Sequence, residues 1–511
     1  MHLQRLLCVA LPPLIAAQCP DYTTYSAQYH APFSSGRYNL SSQRPDSSCR
    51  TFSLPVVEDA ISNVSAQIAD PDLARLFQNA FPSTLDTTVK WKGTANDTGE
   101  ELTFVITGDI DAMWLRDSAN QMHSYSALLT PSTLPDSLAS LYRGVINLQA
   151  RYILTAPFCQ SFQPPTESGL APSVNSAASS DAVFPAYPNA SVFECKYELD
   201  SLAAFLQVST DYFSATGDGP FFGSYSWVSA VQAVLQTANE MMITTYSANG
   251  SVNANPYAFT RQSNRATETL SNDGAGNPTQ NGTGLIRSAF RPSDDATIYQ
   301  FLIPSNMQFS HFLAGSADIM EALNTSTTCS LASQMRSMAD TIRAGISAHA
   351  IVKSAAGDDV FAYEIDGYGS ANIMDDANIP SLLSTPLIGY LNSSDPIYAS
   401  TREMILSTQN PYWATGPVIS AVGGPHDGPG HAWPMAAIVR ALTSTDDDEI
   451  ADQIRMILAS TDGLGLIHES IWAYDASQYT RPWFAWANGL FGQLIVQLAK
   501  ERPQVLQRSY Q

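Results

Sequence analysis

The sequence is poor in charged residues, and above all in basic ones. Only 14% of its 511 residues are charged, and 25 Lys and Arg stand against 47 Asp and Glu, which gives a formal net charge of −22. Nucleic acids and anionic membrane surfaces bind proteins through clusters of Lys and Arg. The charge balance therefore argues against a nucleic-acid partner and against a membrane partner.

Several local signals are also missing. Beyond the N-terminus no apolar run is long enough to cross a bilayer, for which about 20 residues are needed. The chain has no CxxC and no Cys/His cluster, which argues against a zinc site. It has no P-loop, no dinucleotide-binding glycine pattern and no G-x-S-x-G segment, so nucleotide chemistry and a serine nucleophile are disfavoured.

Cysteine is scarce, with six residues in the chain. Cys8 lies in the apolar N-terminal stretch, and the five others allow at most two disulfides with one thiol left over. Proximity in sequence suggests the pairs Cys19–Cys49 and Cys159–Cys195.

The N-terminus has the pattern of a secretory signal peptide over residues 1–17. A basic start precedes an uncharged apolar run that ends in two alanines. Eight Asn-x-Ser/Thr sequons are spread along the chain, at Asn39, Asn63, Asn96, Asn189, Asn249, Asn281, Asn324 and Asn392. Together they predict a secreted, extracellular glycoprotein, with the Golgi or the vacuole as the other destinations left open.

Helical periodicity dominates the rest of the chain. Apolar residues recur at i, i+3/4 spacing over residues 56–68, 138–152, 227–242 and 490–498, whereas strand-like stretches are short, at 102–107 and 360–365. Residues 160–192 and 247–284 are rich in Ser, Gly, Pro and Asn and are predicted to be long surface loops. Without a clear linker, the pattern predicts an N-terminal extension over 18–50 and one helical domain over 51–511.

The segments with chemical potential lie between these helices. GDIDAMWLRDS at residues 108–118 contains Trp114, Arg116 and Asp117. An Arg beside an Asp can offer donors and acceptors to vicinal hydroxyls, and an indole offers an apolar face to a sugar ring. A helix N-terminus with Asp caps and a buried Arg–Asp pair is the structural alternative.

Three acidic segments follow. ELDS at 198–201 places Asp200 at the start of an apolar helix, where a simple N-cap is the structural alternative. RPSDD at 291–295 could bind hydroxyls through its paired carboxylates, although such charges in loops are commonly solvated. MDDAN at 374–378 holds Asp375 and Asp376 between Met and Asn, which solvation alone explains poorly.

Two aromatic segments complete the set. GGPHDGPGHAWP at 423–434 contains His426 and Trp433, and its two His and one Asp leave metal binding open beside sugar hydrogen bonding. HES at 468–470 precedes TRPWFAWAN at 480–488, where a core aromatic stripe is the structural alternative. A glycosidase needs an acid and a base flanking the scissile bond, with aromatic and hydroxyl-binding groups around them. The chain supplies all of these.

Three of these strings, at 108–118, 374–378 and 480–488, closely resemble glycoside hydrolase family 125. The resemblance extends from about residue 50 to the C-terminus. It implies an all-α fold, an (α/α)6 barrel with a few short β-hairpins in its loops and its active site at one mouth. It also implies an exo-acting α-1,6-mannosidase that inverts the anomeric centre and needs no metal or other cofactor.

The resemblance also implies roles for individual residues. The family's general acid falls on Asp200 in ELDS, and its general base falls on Glu469 in HES. The residues implied for substrate binding are Trp114, Arg116, Asp117, Asp375, Asp376, His426, Trp433, Arg481, Trp483 and Asn488. The implied partner is a mannose-containing oligosaccharide, either an α-1,6-linked mannan or an N-glycan.

Three alternatives remain open at the level of sequence. They are a toroid glycosidase with another sugar or linkage specificity, a calcium-dependent mannosidase, and a secreted carbohydrate-binding protein without catalysis. The presence of both Asp200 and Glu469 disfavours the last of these.

Overall fold

The computed structural model describes residues 19–511, so the predicted signal peptide at 1–17 lies outside the described residues. The α-helices of this part are α1 Tyr22–Tyr25, α2 Pro55–Ser65, α3 Pro71–Ala80, α4 Leu115–His123, α5 Leu138–Thr155, α6 Leu199–Thr216, α7 Gly219–Phe222, α8 Trp227–Met241, α9 Ile303–Ala322, α10 Ser326–His349, α11 Pro396–Ile405, α12 Pro434–Leu442, α13 Asp447–Ala459, α14 Ala485–Glu501 and α15 Pro503–Leu506. A π-helical turn occupies Thr84–Thr88. Over residues 19–511, no helix is long and apolar enough to span a bilayer.

The strands are short and pair in antiparallel fashion within the connections between helices. They are β1 Val89–Thr94, β2 Glu101–Val105, β3 Met113–Trp114, β4 Ser161–Phe162, β5 Ala182–Phe184, β6 Val192–Glu194, β7 Ala258–Thr260, β8 Phe301–Leu302, β9 Ile351–Lys353, β10 Asp359–Phe361, β11 Glu364–Ile365, β12 Ala371–Asn372, β13 Trp413–Thr415, β14 Ser420–Val422, β15 His431–Ala432 and β16 Ile471–Trp472. The pairs are β1–β2, β9–β10, β13–β14, β15–β16 and β5–β7, and two three-stranded sheets have the orders β3–β4–β6 and β8–β11–β12.

The helices form two concentric sets. The inner helices α4, α6, α9, α12 and α14 are rich in buried residues, and α4 contacts both α6 and α14 while α6 contacts α9 and α14 contacts α12. The irregular segment 380–391 closes the ring between α9 and α12. Gly389 of this segment lies against His311 of α9, and Ser393, two residues after the segment, bonds to the carbonyl of Thr443, which follows α12. The outer helices α3, α5, α10 and α13 pack on this ring, and α8 packs on α5 and α10 and bonds from Trp227 to Ser209 of α6.

The inner helices begin at one end of the molecule. Trp114 precedes α4, Glu198 precedes α6, Trp433 precedes α12 and Phe484 precedes α14. The first backbone N–H groups of a helix have no partner within the helix, and the helix dipole favours negative charge there. A ring of such N-termini is therefore a suitable frame for a cluster of carboxylates.

The N-terminal extension packs against the helical domain. Leu40 is fully buried in the same hydrophobic core as the helices, and Tyr22 packs edge-on against Trp483. The predicted disulfides Cys19–Cys49 and Cys159–Cys195 are confirmed, and Cys329 is a free, exposed thiol.

Candidate active site

A cavity opens where the N-termini of α4, α12 and α14 meet. It encloses about 570 Å³ including its open mouth, and it is lined by Thr107, Asp109, Ile110, Trp114, Arg116, Asp117, Pro292, Ser293, Asp294, Asn378, His426, Trp433, Glu469, Arg481 and Phe484. Three of these carboxylates, Asp117, Asp294 and Glu469, come from segments far apart in sequence. The ring of helices brings them together.

Arg116 holds the buried carboxylates at the base of the cavity. Its Nη1 donates to Glu198 and, over 3.0 Å, to Oδ2 of Asp200, while its Nη2 lies 3.4 Å from Oδ2 of Asp117. Burial raises the pKa of Asp117 to about 6. The negative charges of Asp294 and Glu469 also raise this pKa, whereas the positive charge of Arg116 lowers it. The cavity therefore concentrates negative charge, which one buried guanidinium partly compensates.

Asp200, the acid implied by the resemblance, lies outside the cavity. It is fully buried, and its carboxylate accepts hydrogen bonds from Arg116 and from Oγ of Ser305 at 3.3 Å. A general acid must come within hydrogen-bonding distance of the glycosidic oxygen, and the Asp200 carboxylate does not line the cavity in this structure. Asp200 is a hydrogen-bonding partner of Arg116.

Asp294, from the RPSDD segment, lines the cavity that Asp200 does not line. It sits in a tight turn at φ +64°, where its N–H donates to the carbonyl of Arg291 at 2.9 Å. Trp114 Nε1 donates to its carboxylate at 3.3 Å, and Lys196 Nζ donates to its carbonyl at 2.8 Å. A non-glycine residue in the left-handed region is often found at functional sites, where the surrounding contacts hold it.

The neighbouring Asp295 faces His426. Its Oδ2 lies 3.2 Å from His426 Nδ1. Burial lowers the pKa of His426, but the carboxylates of Asp295 and Glu469 outweigh burial and raise that pKa to about 10. His426 therefore contributes an imidazolium to the cavity wall at neutral pH.

Glu469 is held from the TRPW segment that follows it. Thr480 Oγ1 donates to Oε2 at 2.8 Å and Arg481 Nε donates to Oε1 at 3.1 Å, and Arg481 also bonds to Asp109 through Nη1. Both oxygens of Glu469 thus have a fixed donor, and its side chain faces the cavity. A carboxylate so oriented is a suitable proton acceptor for a water molecule.

Six of the ten residues implied for substrate binding line the cavity: Trp114, Arg116, Asp117, His426, Trp433 and Arg481. The four others do not line it. Asp375 is buried and accepts from the N–H groups of Leu382 and Leu383, at 2.8 and 2.9 Å. Asp376 accepts from Oγ of the cavity residue Ser293 at 2.9 Å, so it contacts a lining residue without lining the cavity itself.

Trp483 and Asn488 are also buried and make their contacts within the protein. Trp483 is 2% exposed, packs on Gly108 and donates from Nε1 to Ser83 at 3.2 Å. Asn488 is fully buried and bonds to both the N–H and the carbonyl of Ile467. Ile467 lies two residues before Glu469, so Asn488 positions the segment that carries this carboxylate.

Sequence reasoning missed several lining residues, chief among them Asp294 as the inward carboxylate, with Asp109, Asn378 and Phe484. The sequence predicts only that the paired carboxylates of RPSDD could bind hydroxyls, and the spacing does not show that Asp294 lines the cavity while Asp295 contacts His426. Within residues 19–511, no three His, Cys, Asp or Glu side chains are arranged to hold a metal ion. His431 lies on β15 and packs on Trp472, and it is not among the residues that line the cavity, whereas His426 is.

Residues 70–496 match the family model described as metal-independent alpha-mannosidase (GH125). The chain is 45% identical over 498 residues to the meiotically up-regulated gene 157 protein of Schizosaccharomyces pombe, covering 96% of this chain and 94% of that protein. A solved metal-independent α-mannosidase from Streptococcus pneumoniae, in a non-productive complex with α-1,6-mannobiose, superposes with a TM-score of 0.77 at 33% identity, covering 88% of this chain and 100% of that one. The chain is therefore a glycoside hydrolase with the (α/α)6 toroid fold, and it belongs to the metal-independent α-mannosidase family GH125.

Proposed function

We propose that the protein is a secreted exo-α-1,6-mannosidase that hydrolyses terminal mannose with inversion of configuration. The observation that carries the linkage is α-1,6-mannobiose bound to the Streptococcus pneumoniae relative, whose whole chain superposes on this one. The shape of the site supports exo action, because the inner pocket is small, about 570 Å³ even when its open mouth is counted.

The general acid in this proposal is Asp294. Its carboxyl lines the cavity, whereas that of Asp200 is sealed behind Arg116. Asp294 gives its proton to the glycosidic oxygen as the bond from that oxygen to C1 breaks, so the leaving sugar departs as a neutral alcohol.

The general base is Glu469. It removes a proton from a water molecule, whose oxygen bonds to C1 on the face opposite the leaving group. Thr480 and Arg481 fix the orientation of its two oxygens. One proton leaves Asp294 and one arrives on Glu469, and exchange with solvent restores both carboxyls.

The departing oligosaccharide occupies a wider outer cleft that shares Asp109, Trp114 and Asp294 with the inner pocket. This cleft measures about 1360 Å³ including its open mouth, and its walls include residues 173–177 and Arg261, Arg265 and Glu268. The two Ser/Gly/Pro-rich loops join there, because β5 pairs with β7 and Arg261 bonds to Asp181 at 2.7 Å. Loops that line only the leaving-group side affect the choice of aglycone.

Export through the secretory pathway is supported by two features. The structure contains two disulfides, which persist in oxidising compartments. All eight sequon asparagines are exposed: Asn39, Asn63, Asn96, Asn189, Asn249, Asn281, Asn324 and Asn392.

The test compares hydrolysis of α-1,6-, α-1,2- and α-1,3-mannobiose by the purified protein and by two isosteric variants. We expect cleavage of the α-1,6 linkage with strong preference, and a loss of about 10²–10⁴-fold for Asp294→Asn. Asp200→Asn is the matched control, and we expect its turnover to stay within about tenfold of the wild type. Preference for another linkage would refute the specificity, and loss of activity in Asp200→Asn alone would restore Asp200 as the acid.

A further inference from the structure

Glu198 is a buried carboxyl that the two-carboxylate mechanism does not use. It is 1% exposed and directly precedes α6. Its Oε2 accepts from Arg116 and from Oγ of Ser201 at 3.2 Å, but its Oε1 is buried without a hydrogen-bond donor. A buried acceptor without a donor is costly, whereas a protonated Oε1 would itself donate.

The acceptor for such a proton is Asp294. The Glu198 carboxyl faces that of Asp294, since a side-chain hydrogen bond between the two contributes to the pKa shift of each. Two neighbouring carboxylates repel each other strongly when both are ionised, which favours a state with one proton between them.

The charged and titratable groups that face the pair come from several elements. They are Arg116 and Asp117 of α4, Lys196 after β6, Asp200 of α6, Tyr257 before β7 and His426 before β15. Burial raises the pKa of Asp294, but Lys196 and Arg116 outweigh burial, so the net shift is downward. Burial, Asp294 and Asp200 together raise the pKa of Glu198 well above its usual value, although the positive charge of Arg116 lowers it.

We propose that Glu198 is a positioning residue that shares one proton with Asp294 and thereby keeps Asp294 able to protonate the leaving oxygen. The inference rests on the proposed role of Asp294. In the reactive form the proton lies on Asp294 and the charge lies on Glu198. When the glycosidic oxygen takes that proton, both carboxyls are ionised, and the pair regains a proton from solvent.

The test uses Glu198→Gln with two substrates that differ in their need for an acid. An amide donates to Asp294 and carries no charge, so Asp294 stays ionised at neutral pH. We expect kcat/KM for α-1,6-mannobiose to fall at least about tenfold. In the pH profile of kcat/KM, the decline at high pH, called here the high-pH limb, should shift to lower pH by about one pH unit or more. Hydrolysis of 2,4-dinitrophenyl α-mannoside, whose phenolate departs unprotonated, should stay within about threefold of the wild type.

Two variants serve as controls. Asp200→Asn also alters a partner of Arg116 and removes a charge that raises the pKa of Glu198, but it keeps both carboxyls of the pair, so its high-pH limb should move less than that of Glu198→Gln. Glu198→Asp retains a carboxyl and should recover part of the wild-type limb. An unchanged limb in Glu198→Gln, or an equal loss on both substrates, would overturn the proposal.

Lys196→Gln keeps the proposal testable if Glu198→Gln does not fold. It removes the cation that draws the shared proton away from Asp294, so the high-pH limb should move upward, and an unmoved limb would count against proton sharing. Asp294→Asn separates this inference from the proposed function. Full activity of that variant on mannobiose would remove Asp294 from catalysis, whatever Glu198 does.

Discussion

Replacing Asn488 by Ala should destabilise the protein because this side chain satisfies the backbone of a buried loop. Its Oδ1 accepts from Ile467 N–H at 3.0 Å, and its Nδ2 donates to the carbonyls of Ile467 and Phe484 at 2.9 and 2.8 Å. The two carbonyls keep other donors, the N–H groups of Phe484 and Asn488, but the Ile467 N–H is left without a partner. An orphaned buried donor costs about 1–3 kcal/mol and each lost bond about 1 kcal/mol, so we expect a loss of about 3–5 kcal/mol.

Asn306 provides a matched control in the same molecule. It accepts from Ile286 N–H at 2.9 Å and donates to the carbonyls of Ile286 and Leu302, at 2.9 and 2.8 Å. Asn306→Ala should therefore lose a similar free energy of unfolding. Only Asn488 holds a segment two residues from Glu469, so we expect a further fall in kcat of about 10- to 100-fold in Asn488→Ala.

Denaturant unfolding and steady-state kinetics on α-1,6-mannobiose measure the two effects separately. If Asn488→Ala lowers the free energy of unfolding by less than about 0.5 kcal/mol, the side chain of Asn488 does not stabilise the buried backbone as we expect. Unchanged stability with a raised KM would return Asn488 to the sugar-binding role that the family resemblance implies.

Three other predictions follow from the site and the surface. Because the pKa of His426 is raised to about 10, its contribution to stability is complete below about pH 6.5 and is lost as the pH rises through 10. The Tm difference between the wild type and His426→Asn should therefore be constant at low pH and narrow from pH 7 to 10, and a difference that widens would contradict this. Dialysis against EDTA should leave kcat unchanged. Inactivation that added calcium reverses would instead favour the calcium-dependent alternative. Protein secreted from a eukaryotic host should lose mass on endoglycosidase treatment, and an unchanged mass would refute occupancy of the exposed sequons.

Among the helices predicted from the sequence, the clearest have one exposed face. Residues 56–68 and 227–242 have a polar side that reveals the helical period, and they form α2 and α8. The inner helix α9 is buried on nearly all sides over its first half, so its sequence carries no comparable stripe that would reveal the period. The strand-like stretch at 360–365 forms two short strands, β10 and β11, that pair with different partners.

The site was predictable as a set of segments but not as a set of roles. Glu469 lines the cavity, but ELDS and RPSDD both offer carboxyls, and only the fold shows that one from RPSDD faces the cavity. Trp483 and Asn488 belong to a string that matches the family, yet they support the site from behind. A local motif specifies that residues are needed together, whereas tertiary packing decides which of them contacts the substrate.

The configuration of the first-formed sugar tests the central claim most directly. Proton NMR during the first minutes of α-1,6-mannobiose hydrolysis distinguishes the anomers before mutarotation mixes them. Attack by water activated at Glu469, opposite a leaving group protonated by Asp294, predicts that β-mannose appears first. If α-mannose appears first, the reaction retains configuration, and the assignment of an acid and a base acting in one displacement is wrong.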